Sequence, residues 1–598
     1  KDKIESLGLL KMDLLGLRTL TVIGDAIKFI YETTGDKLDI DKIPLDDEAT
    51  CSMLRKGDTQ GVFQLESGGM TKLVMDLGPE SFEDLIPLVA LYRPGPLGTG
   101  MVEDFIAGRH GEKTAEMLHP LLEPVLKDTF GVILYQEQVM QITSVLAGFS
   151  LGQADILRRA MGKKKAKELD SMREAFIDGA QQKHGISPQL SSEIFALLQH
   201  FAGYGFNKSH SAAYALVAYQ TAYLKAHWPA EFMAAFLTSV ISDSEKLSWY
   251  ISVCRSMGLK ILPPDVNESG RSFSVNKDRV IRFGLAGVKN VGENAIGSIL
   301  QARKEGPFKS LMDFCKRVDN RAVNKRMLEN LIKCGAMDSF GYKRSELLAV
   351  AEQAMDMGSN YQKDYQSGQM GLFGDDSFAD VNELRIPELE EIPKRTILQY
   401  EKELIGFYVT GNPLDAYVGS LYYYTPLRKI SDASEVLDGK YFSVAGIISD
   451  CRIRNTRQGD SMAILTLEDF NGKMEIVVFP KVYRDAARLL YQENAISVEG
   501  KLSIDERERK IQALKIKPLQ EVPPDLHIKI MKKDENGIVQ KGLKQIFESF
   551  SGDTPVYLHL IDSGKMIKVE RCFWVDGKNA GVYQALDDLL GENWYLKG

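Results

Sequence analysis

The sequence contains few cysteines, and none of them are arranged to hold a metal ion or a disulfide framework. The six cysteines among 598 residues are scattered, with no pair at zinc-ligand spacing. No apolar run is long enough to span a membrane, and the opening residues lack a signal-peptide pattern. We therefore expect reduced thiols, a cytoplasmic protein and no membrane partner.

The chain also lacks an excess of positive charge. Its 74 lysines and arginines are outnumbered by 82 aspartates and glutamates, which leaves a net charge of -8. Such a protein is not a polycation that coats nucleic acid, so any contact with phosphates must come from local basic patches. The hydrophobic fraction of 44% is typical of a globular protein. A chain of this length should contain about three to five domains.

Hydrophobic periodicity predicts that the first part of the chain is mainly helical. Residues 20–265 show amphipathic helical patterns with two interruptions. The first, at residues 92–97, has two prolines that flank a glycine and exclude a helix. The second is a glycine-spaced aromatic loop at residues 201–211, which opens a long helix. Short helices are expected at residues 260–345, and a polar surface loop at residues 355–380.

Near the end of the chain the pattern changes to strands. Five strand candidates lie within residues 440–520, with a helix between the third and the fourth. This order matches the oligonucleotide/oligosaccharide-binding barrel, the OB-fold. A small α/β domain is expected after Val522-Pro523-Pro524. Arg452, Arg454 and nearby aromatic residues would suit single-stranded nucleic acid, although aromatic residues in a small barrel can also be core.

An ammonium and a carboxylate interrupt the apolar run at residues 9–15. If this run is a strand, Lys11 and Asp13 share one face because side chains alternate. Burying two charges is costly unless each meets an opposite charge. A carboxylate suits a metal ion and an ammonium suits a phosphate, so the pair fits nucleotide chemistry. The alternative is a salt bridge at a strand end.

A basic run follows at residues 157–167. Arg158 and Arg159 stand on a predicted helix beside small residues, where their guanidinium groups could bind phosphate oxygens bidentately. The alternative is a solvated charged face, which is common for a charge run. His210 lies among small polar residues of the loop that opens the long helix, and an exposed loop residue is the default interpretation there.

Residues 284–296 have the rhythm of a helix-hairpin-helix motif. Gly287 and Gly292 would permit a tight turn that presents backbone amides and Lys289 to a phosphate. A second, more basic hairpin-like region follows at residues 320–326. The alternative is a glycine-turned helix pair without a ligand. The candidate DNA-binding residues are Gly287, Val288, Lys289, Asn290, Gly292, Lys325 and Arg326.

A short apolar element lies within the polar loop. A glutamine followed three and four residues later by leucine and phenylalanine is typical of a hydrophobic plug that binds a pocket on a partner. The alternative is packing of the two apolar residues on their own domain. The residues concerned are Gln369, Met370, Gly371, Leu372 and Phe373.

The segments at residues 11–18, 61–67, 92–97, 133–139, 157–164 and 206–211, taken together, closely resemble the alpha subunit of bacterial DNA polymerase III, a C-family replicative polymerase of the DnaE type. The resemblance implies a multidomain α+β protein. The implied parts are the end of a nucleotidyltransferase palm (1–22), mostly helical fingers (23–265), a helix-hairpin-helix and clamp-binding domain (266–395), a linker (396–435), a five-stranded OB-fold barrel (436–520) and a small α/β subunit-binding domain (521–598).

The resemblance also implies an activity and partners. The activity is template-directed addition of dNTPs to a primer 3′ end, with release of pyrophosphate and two Mg²⁺ ions as cofactor. The implied partners are primer-template DNA, dNTPs, the sliding clamp (beta subunit) and a tau-type clamp-loader subunit or other replisome proteins, at replication forks in the bacterial cytosol. Asp13 would be the catalytic, metal-binding carboxylate. The dNTP-binding residues would be Lys11, Arg158, Arg159, Asn207, Lys208 and His210.

One departure from the family pattern bears on activity. The family has two further aspartates on an earlier palm strand and a phosphoesterase-like domain, and neither occurs in this sequence. Mg²⁺ takes six oxygen ligands, so Asp13 alone cannot organise two ions. We expect the sequence to be the latter part of a longer polymerase and to be inactive alone. The alternative function is a non-catalytic scaffold that binds DNA and tethers to the clamp, and such a scaffold would not need Lys11 and Asp13.

Overall fold

The structure is a computed structural model that describes residues 7–8, 12, 16–97, 100–113, 117–162, 166–202, 205–366, 384–431, 437–456, 459–470, 472–504, 509–521, 525–530, 538–561, 563–591 and 594–595. The chain divides into two compact units, Lys1–Val409 and Thr410–Gly598. The first unit is mainly helical, and the second carries a closed barrel and a smaller sheet. The predicted multidomain α+β class is confirmed.

The first unit consists of α-helices with three two-residue strands. Its helices are α1 (Arg18–Thr34), α2 (Glu48–Arg55), α3 (Gly68–Leu77), α4 (Leu85–Leu91), α5 (Pro94–Leu97), α6 (Met101–Arg109), α7 (Glu123–Leu126), α8 (Gln136–Ala147), α9 (Leu151–Gly162), α10 (Ala166–His184), α11 (Pro188–Ala202), α12 (Lys208–His227), α13 (Pro229–Ser239), α14 (Ser244–Ser256), α15 (Glu293–Ala302), α16 (Leu311–Arg317), α17 (Lys325–Lys333), α18 (Arg344–Gln366) and α19 (Lys394–Ile405). Strands β1 (Ile261–Leu262), β2 (Ser274–Val275) and β3 (Ile281–Arg282) form a sheet in the order β1-β3-β2.

Helix α12 is the predicted long helix, and it joins two cores of this unit. Tyr219 and Ala222 pack in one apolar cluster with helices α2, α3, α4 and α6, whereas Leu224 packs in another with α13 and α15. A helix that is buried on several sides is held rigidly. The start of α12 is therefore positioned by the core and not by its local sequence alone.

The second unit contains the predicted five-stranded barrel. Strands β4 (Tyr441–Asn455), β5 (Ser461–Glu468), β6 (Lys473–Val478), β7 (Ala495–Ile504) and β8 (Arg509–Pro518) close in the order β4-β5-β6-β8-β7. Short helices of this unit are α20 (Val418–Leu421), α21 (Leu427–Ser431) and α22 (Pro480–Ala486), and α22 lies between the third and fourth barrel strands as predicted.

A smaller sheet follows the barrel. Its strands β9 (Leu526–Ile530), β11 (Val556–Leu560) and β12 (Lys565–Lys568) are ordered β12-β11-β9. A short strand β10 (Ser551–Thr554) and the helices α23 (Ile538–Ser549) and α24 (Ala580–Leu590) complete the α/β end. No helix in the described part of the chain is long and apolar enough to cross a membrane.

The structure corrects two predictions of local structure. Residues 92–97 do not exclude a helix, because α5 forms one turn there and the Leu97 amide donates to the Arg93 carbonyl oxygen over 3.0 Å. Proline is tolerated in a first helical turn, where its fixed φ fits and its missing N–H is not needed. Residues 355–366 are not a surface loop but the last turns of α18. The rest of that predicted loop, residues 367–380, lies outside the described residues.

Candidate functional site

Several candidate residues lie outside the part of the chain that the structure describes. They are Lys11, Asp13 and the predicted clamp-binding residues Gln369, Met370, Gly371, Leu372 and Phe373. Within the described ranges, no group of three or more His, Cys, Asp or Glu side chains could hold a metal ion. The remaining candidates fall in two regions of the first unit, one around α9 and α12 and the other around α15 and α17.

The two arginines of α9 share one carboxylate. Arg158 donates from Nε over 3.0 Å and from Nη2 over 2.8 Å to Oδ1 of Asp155, one turn earlier. Nη2 of Arg159 lies 2.8 Å from the other oxygen, Oδ2. The hydrogen bond from Arg158 lowers the pKa of Asp155, so this carboxyl is ionised at neutral pH. Two cations with one counter-ion leave a net positive charge, which favours a bound anion.

Arg158 also contacts the first residue of α8. Its Nη1 donates to Oε1 of Gln136 over 3.0 Å, and only 26% of the Arg158 side chain is exposed, against 67% for Arg159. The Gln136 amide donates in turn from Nε2 to the carbonyl oxygen of Gly205 over 2.8 Å. The backbones of the same two segments are also hydrogen-bonded, since the Gln136 N–H donates to the Phe206 carbonyl oxygen over 2.9 Å. The loop before α12 is therefore hydrogen-bonded to the segment that holds Arg158.

Glu137 fixes the start of α12. Its carboxylate accepts from Nδ2 of Asn207 over 3.0 Å and from the Lys208 backbone N–H over 3.0 Å. Asn207 is the N-cap of α12, because its Oδ1 accepts from the His210 N–H over 2.8 Å. A side-chain cap of this kind stabilises a helix end. Nζ of Lys208 lies 5.5 Å from the centre of the Tyr135 ring.

His210 lies on an aromatic surface beside these groups. Its ring centre is 4.2 Å from that of Tyr214 and 5.3 Å from that of Phe206, and the His210 side chain is exposed. The guanidinium carbon of Arg93 lies 3.9 Å from the centre of the Phe206 ring, a cation–π contact. The site thus combines cations with one exposed ring, that of His210, which packs beside the half-buried Tyr214 and the buried Phe206. Cations and a ring suit a ligand with phosphates and a flat base.

Sequence reasoning assigned no role to Arg93, Gln136 or Glu137. All three stand in segments, residues 92–97 and 133–139, that carried the family resemblance. The sequence shows that these residues belong to the motifs, but it does not show which residues they contact. The structure brings Arg158 and Asn207 to one network through Gln136 and Glu137. Arg159 joins it only through Asp155.

The helix-hairpin-helix candidates form a tight turn before α15. A 3-10 turn at Leu285–Gly287 leads into it, Val288 is buried, and Asn290 adopts a positive φ of 65°. The Lys289 N–H donates to the Leu404 carbonyl oxygen over 2.8 Å, so this amide is not offered to a phosphate, contrary to expectation. The Lys289 side chain is exposed, as is Gly292, which precedes the first turn of α15.

Lys325 and Arg326 lie exposed in the first turn of α17. Nζ of Lys325 is 2.6 Å from Oε2 of Glu352, and this hydrogen bond raises the pKa of the lysine. A cavity of about 1040 Å³ opens between α15 and α18, and its lining carries both signs of charge, with Glu293 and Asp319 as well as Lys316 and Arg321. This cavity is therefore not selective for phosphate by charge.

Comparison with known families gives three matches along the chain. The model described as bacterial DNA polymerase III alpha subunit finger domain matches residues 19–184. A helix-hairpin-helix motif matches residues 258–347, and an OB-fold nucleic acid binding domain matches residues 442–519.

Three similar proteins are each named DNA polymerase III subunit alpha. The DNA polymerase III subunit alpha of Pseudomonas aeruginosa is 41% identical, with 99% of this chain and 53% of that protein covered. The proteins of the same name from Thermus aquaticus and Escherichia coli K12 are each 43% identical, with 93% and 85% of this chain and 46% and 44% of those proteins covered. The chain thus spans about half the length of the curated relatives it matches.

Among solved structures, an Entamoeba histolytica asparaginyl-tRNA synthetase in complex with asparaginyl-adenylate matches at 14% identity over 23% of this chain and 41% of that chain, and its TM-score of 0.13 carries no argument. The resemblance inferred from the sequence motifs is confirmed by the sequence matches.

Proposed function

Because the chain belongs to the family of bacterial DNA polymerase III alpha subunits, we propose that it takes part in template-directed DNA synthesis and binds the incoming dNTP. The observation that supports this proposal is the single hydrogen-bonded network in which Arg158 meets the start of α12. That network gathers guanidinium groups, the Lys208 ammonium and the exposed ring of His210 in one place. A nucleoside triphosphate offers the complementary groups.

In this proposal the arginines of α9 bind the triphosphate. Asp155 is their counter-ion in the free site. A triphosphate carries more negative charge than one carboxylate and accepts bidentate hydrogen bonds from guanidinium groups, so it displaces Asp155 as their main partner. Lys11 adds a further cation. Charge that develops on the leaving pyrophosphate is then stabilised by groups already in place.

The residues at the start of α12 bind the nucleoside end. Asn207 and Lys208 are held by Glu137, and the exposed His210 ring stacks on Tyr214. Rigid, preorganised contacts of this kind orient the α-phosphate for in-line attack by the primer hydroxyl.

We propose Mg²⁺ as the cofactor, held by Asp13 together with further carboxylates. Mg²⁺ prefers oxygen ligands in an octahedron, which fits a carboxylate such as Asp13 and requires more than one of them. When bound, the ions would polarise the α-phosphate and lower the pKa of the primer hydroxyl. A polypeptide with Asp13 as the sole acidic ligand would therefore not catalyse the reaction.

Other parts of the chain would bind DNA and replisome proteins. Lys289, on the turn before α15, and Lys325 and Arg326, in the first turn of α17, are exposed and would contact duplex phosphates without reading sequence. The barrel would hold single-stranded template, and residues 369–373 would bind the clamp. The domain division expected from the sequence, from a palm end at 1–22 to a tau-type subunit-binding domain at 521–598, belongs to this proposal, as does a location at forks in the cytosol.

Primer extension tests the proposal. In the polypeptide encoded by the whole gene, Asp13→Ala should reduce dNTP incorporation by about a hundredfold or more, because charge stabilisation at the reacting phosphate is lost. The Kd for primer-template should change little. Undiminished synthesis by the variant would instead support the non-catalytic scaffold. Lys56→Met, at an exposed residue remote from the network, serves as the control.

A further inference from the structure

We propose that Gln136 is a positioning residue that couples the phosphate-binding arginine Arg158 to the nucleoside-binding start of α12. This inference rests on the proposed dNTP site and goes beyond it, because it assigns communication between the two ends of the ligand. Gln136 touches neither end of the ligand in this scheme. It acts by orienting the groups that do.

Both the oxygen and the nitrogen of the Gln136 side-chain amide are hydrogen-bonded. Oε1 of Gln136 accepts from Arg158, and Nε2 donates to the Gly205 carbonyl oxygen, over 3.0 and 2.8 Å respectively. A primary amide is the side chain that provides an acceptor and a donor on one short stem. A carboxylate would repel the Gly205 carbonyl, and a hydrocarbon would leave both partners without this hydrogen bond.

Backbone hydrogen bonds also join the loop residue Phe206 to the segment that leads into α8. The Phe206 N–H donates to the Leu134 carbonyl oxygen over 3.3 Å, and the Gln136 N–H donates back to Phe206. A Cβ atom at Gly205 would meet Cγ of Gln136 at 3.2 Å, so the two segments already touch. A displacement of the Gln136 side chain would therefore be transmitted to Gly205 and to the N-cap of α12.

Arg158 has two hydrogen-bond partners, which accept from different nitrogens of its guanidinium group. Asp155, on α9 itself, accepts hydrogen bonds from Nε and Nη2 of this arginine. Gln136, on α8, accepts one from Nη1. Without Gln136, the guanidinium group would be directed by Asp155 alone, towards its own helix. The Gln136 contact keeps one edge of the guanidinium group on the side of α12. Binding of phosphate and of base would then be cooperative, because each orders the same bridge.

The test is a double-mutant cycle in the polypeptide encoded by the whole gene. Gln136→Leu should raise the KM for dNTP by about tenfold, because one hydrogen bond to a charged group is lost, with a smaller effect on kcat. In the Arg158→Ala background, Gln136→Leu should change the KM for dNTP by less than about twofold, because the arginine through which Gln136 acts is already absent. Gln136→Glu keeps the oxygen that accepts from Arg158, so it should raise the KM for dNTP less than Gln136→Leu does. Gln141→Leu, at an exposed glutamine of the same helix, should behave as wild type.

The outcomes separate the coupling from the dNTP site. Independent, multiplicative effects of Gln136→Leu and Arg158→Ala would overturn the coupling and leave the site intact, and so would a wild-type KM in Gln136→Leu. If Arg158→Ala itself has a normal KM, the proposed dNTP site fails, and the coupling fails with it. Thermal unfolding of each variant distinguishes misfolding, and Gln136→Met, which is close to glutamine in length and makes neither hydrogen bond, replaces Gln136→Leu in the cycle if that variant unfolds.

Discussion

Lys225 is a charged residue that the protein buries almost completely. Its side chain is in α12, only 2% of the residue is exposed, and Nζ donates over 2.8 Å to the carbonyl oxygens of Asp58 and of Gln60. Burial lowers its pKa from 10.5 to about 8, since the ammonium loses its hydration. The lysine fastens the loop after α2 to the helix whose other end carries the candidate site.

This burial predicts a pH dependence of stability. Between about pH 8 and pH 10.5 the unfolded chain still binds the Lys225 proton while the folded protein has released it, so this group makes stability rise with pH. Comparison with Lys225→Met isolates the effect, because other titrating groups are common to both proteins. The free energy of unfolding of wild type, relative to Lys225→Met, should increase from pH 8 to pH 10 in urea melts.

The control is Lys56→Met, at an exposed lysine near the end of α2. Its difference from wild type should stay constant over the same pH range. A constant difference for Lys225→Met as well would mean that the buried amine titrates in the folded state as it does in the unfolded chain.

Single residues show what the sequence could and could not indicate. Arg158 and His210 were predicted as candidate site residues because a charge run and a histidine in a polar loop are unusual in themselves, and both assignments stay predictions. Gln136 was not, because a neutral amide at a helix start is ordinary. Its role depends on the two groups it faces, which lie 22 and 69 residues away along the chain.

At the scale of elements, α18 shows why a polar stretch can still be helical. Residues 355–366 have few apolar side chains, yet they continue a helix that is firmly packed earlier, where Leu347 and Ala354 are buried. Gly358 lies against the backbone of Cys315, which no larger residue could approach as closely. Gln362 donates from Nε2 to the carbonyl oxygens of Lys316 and of Val318, over 3.0 and 2.6 Å, at the end of α16.

These contacts predict that Gln362 stabilises two helices at once. Gln362→Leu should lower the free energy of unfolding by about 1–2 kcal/mol, because it leaves carbonyl groups at the end of α16 without their donor. Gln353→Leu, at an exposed position of the same helix, should have no comparable effect. Urea unfolding followed by circular dichroism measures both. Equal effects of the two substitutions would show that the helix end is held by other contacts.

Element boundaries were harder to predict than element types. The five barrel strands were expected where they occur, but local sequence did not fix their ends: a glycine weakens a strand, yet Gly500 lies inside β7. The pairing register with β8 shifts between Glu499 and Gly500, so the glycine marks a bulge. A side chain there would overlap Ile511. Local sequence indicates an irregularity at such a glycine, and only the neighbouring strand decides whether the strand continues.

At the scale of the whole molecule, the proposed clamp-binding residues 369–373 give a separate prediction. Replacing Leu372 and Phe373 by alanine should shorten extension products only when the clamp is present, because a tethered enzyme rebinds its primer at high effective concentration. Product lengths on a long primed template, with and without the clamp, measure this in the polypeptide encoded by the whole gene. Leu20→Ala, at an exposed leucine of α1, is the matched control. Equal shortening without the clamp would mean that the peptide packs on its own domain.

The sequence by itself determined the classes of structure and chemistry in this protein. Periodicity and turn residues act over a few positions, so they indicated the long helix α12 and the five-stranded barrel. Motifs likewise indicated the polymerase family, and charge runs supplied candidate phosphate-binding cations, which stay predictions. The tertiary structure decided which of those residues meet. Contacts such as Gln136 to Gly205, or Lys225 to the loop after α2, join segments distant in sequence and depend on how the cores pack, which no local pattern encodes.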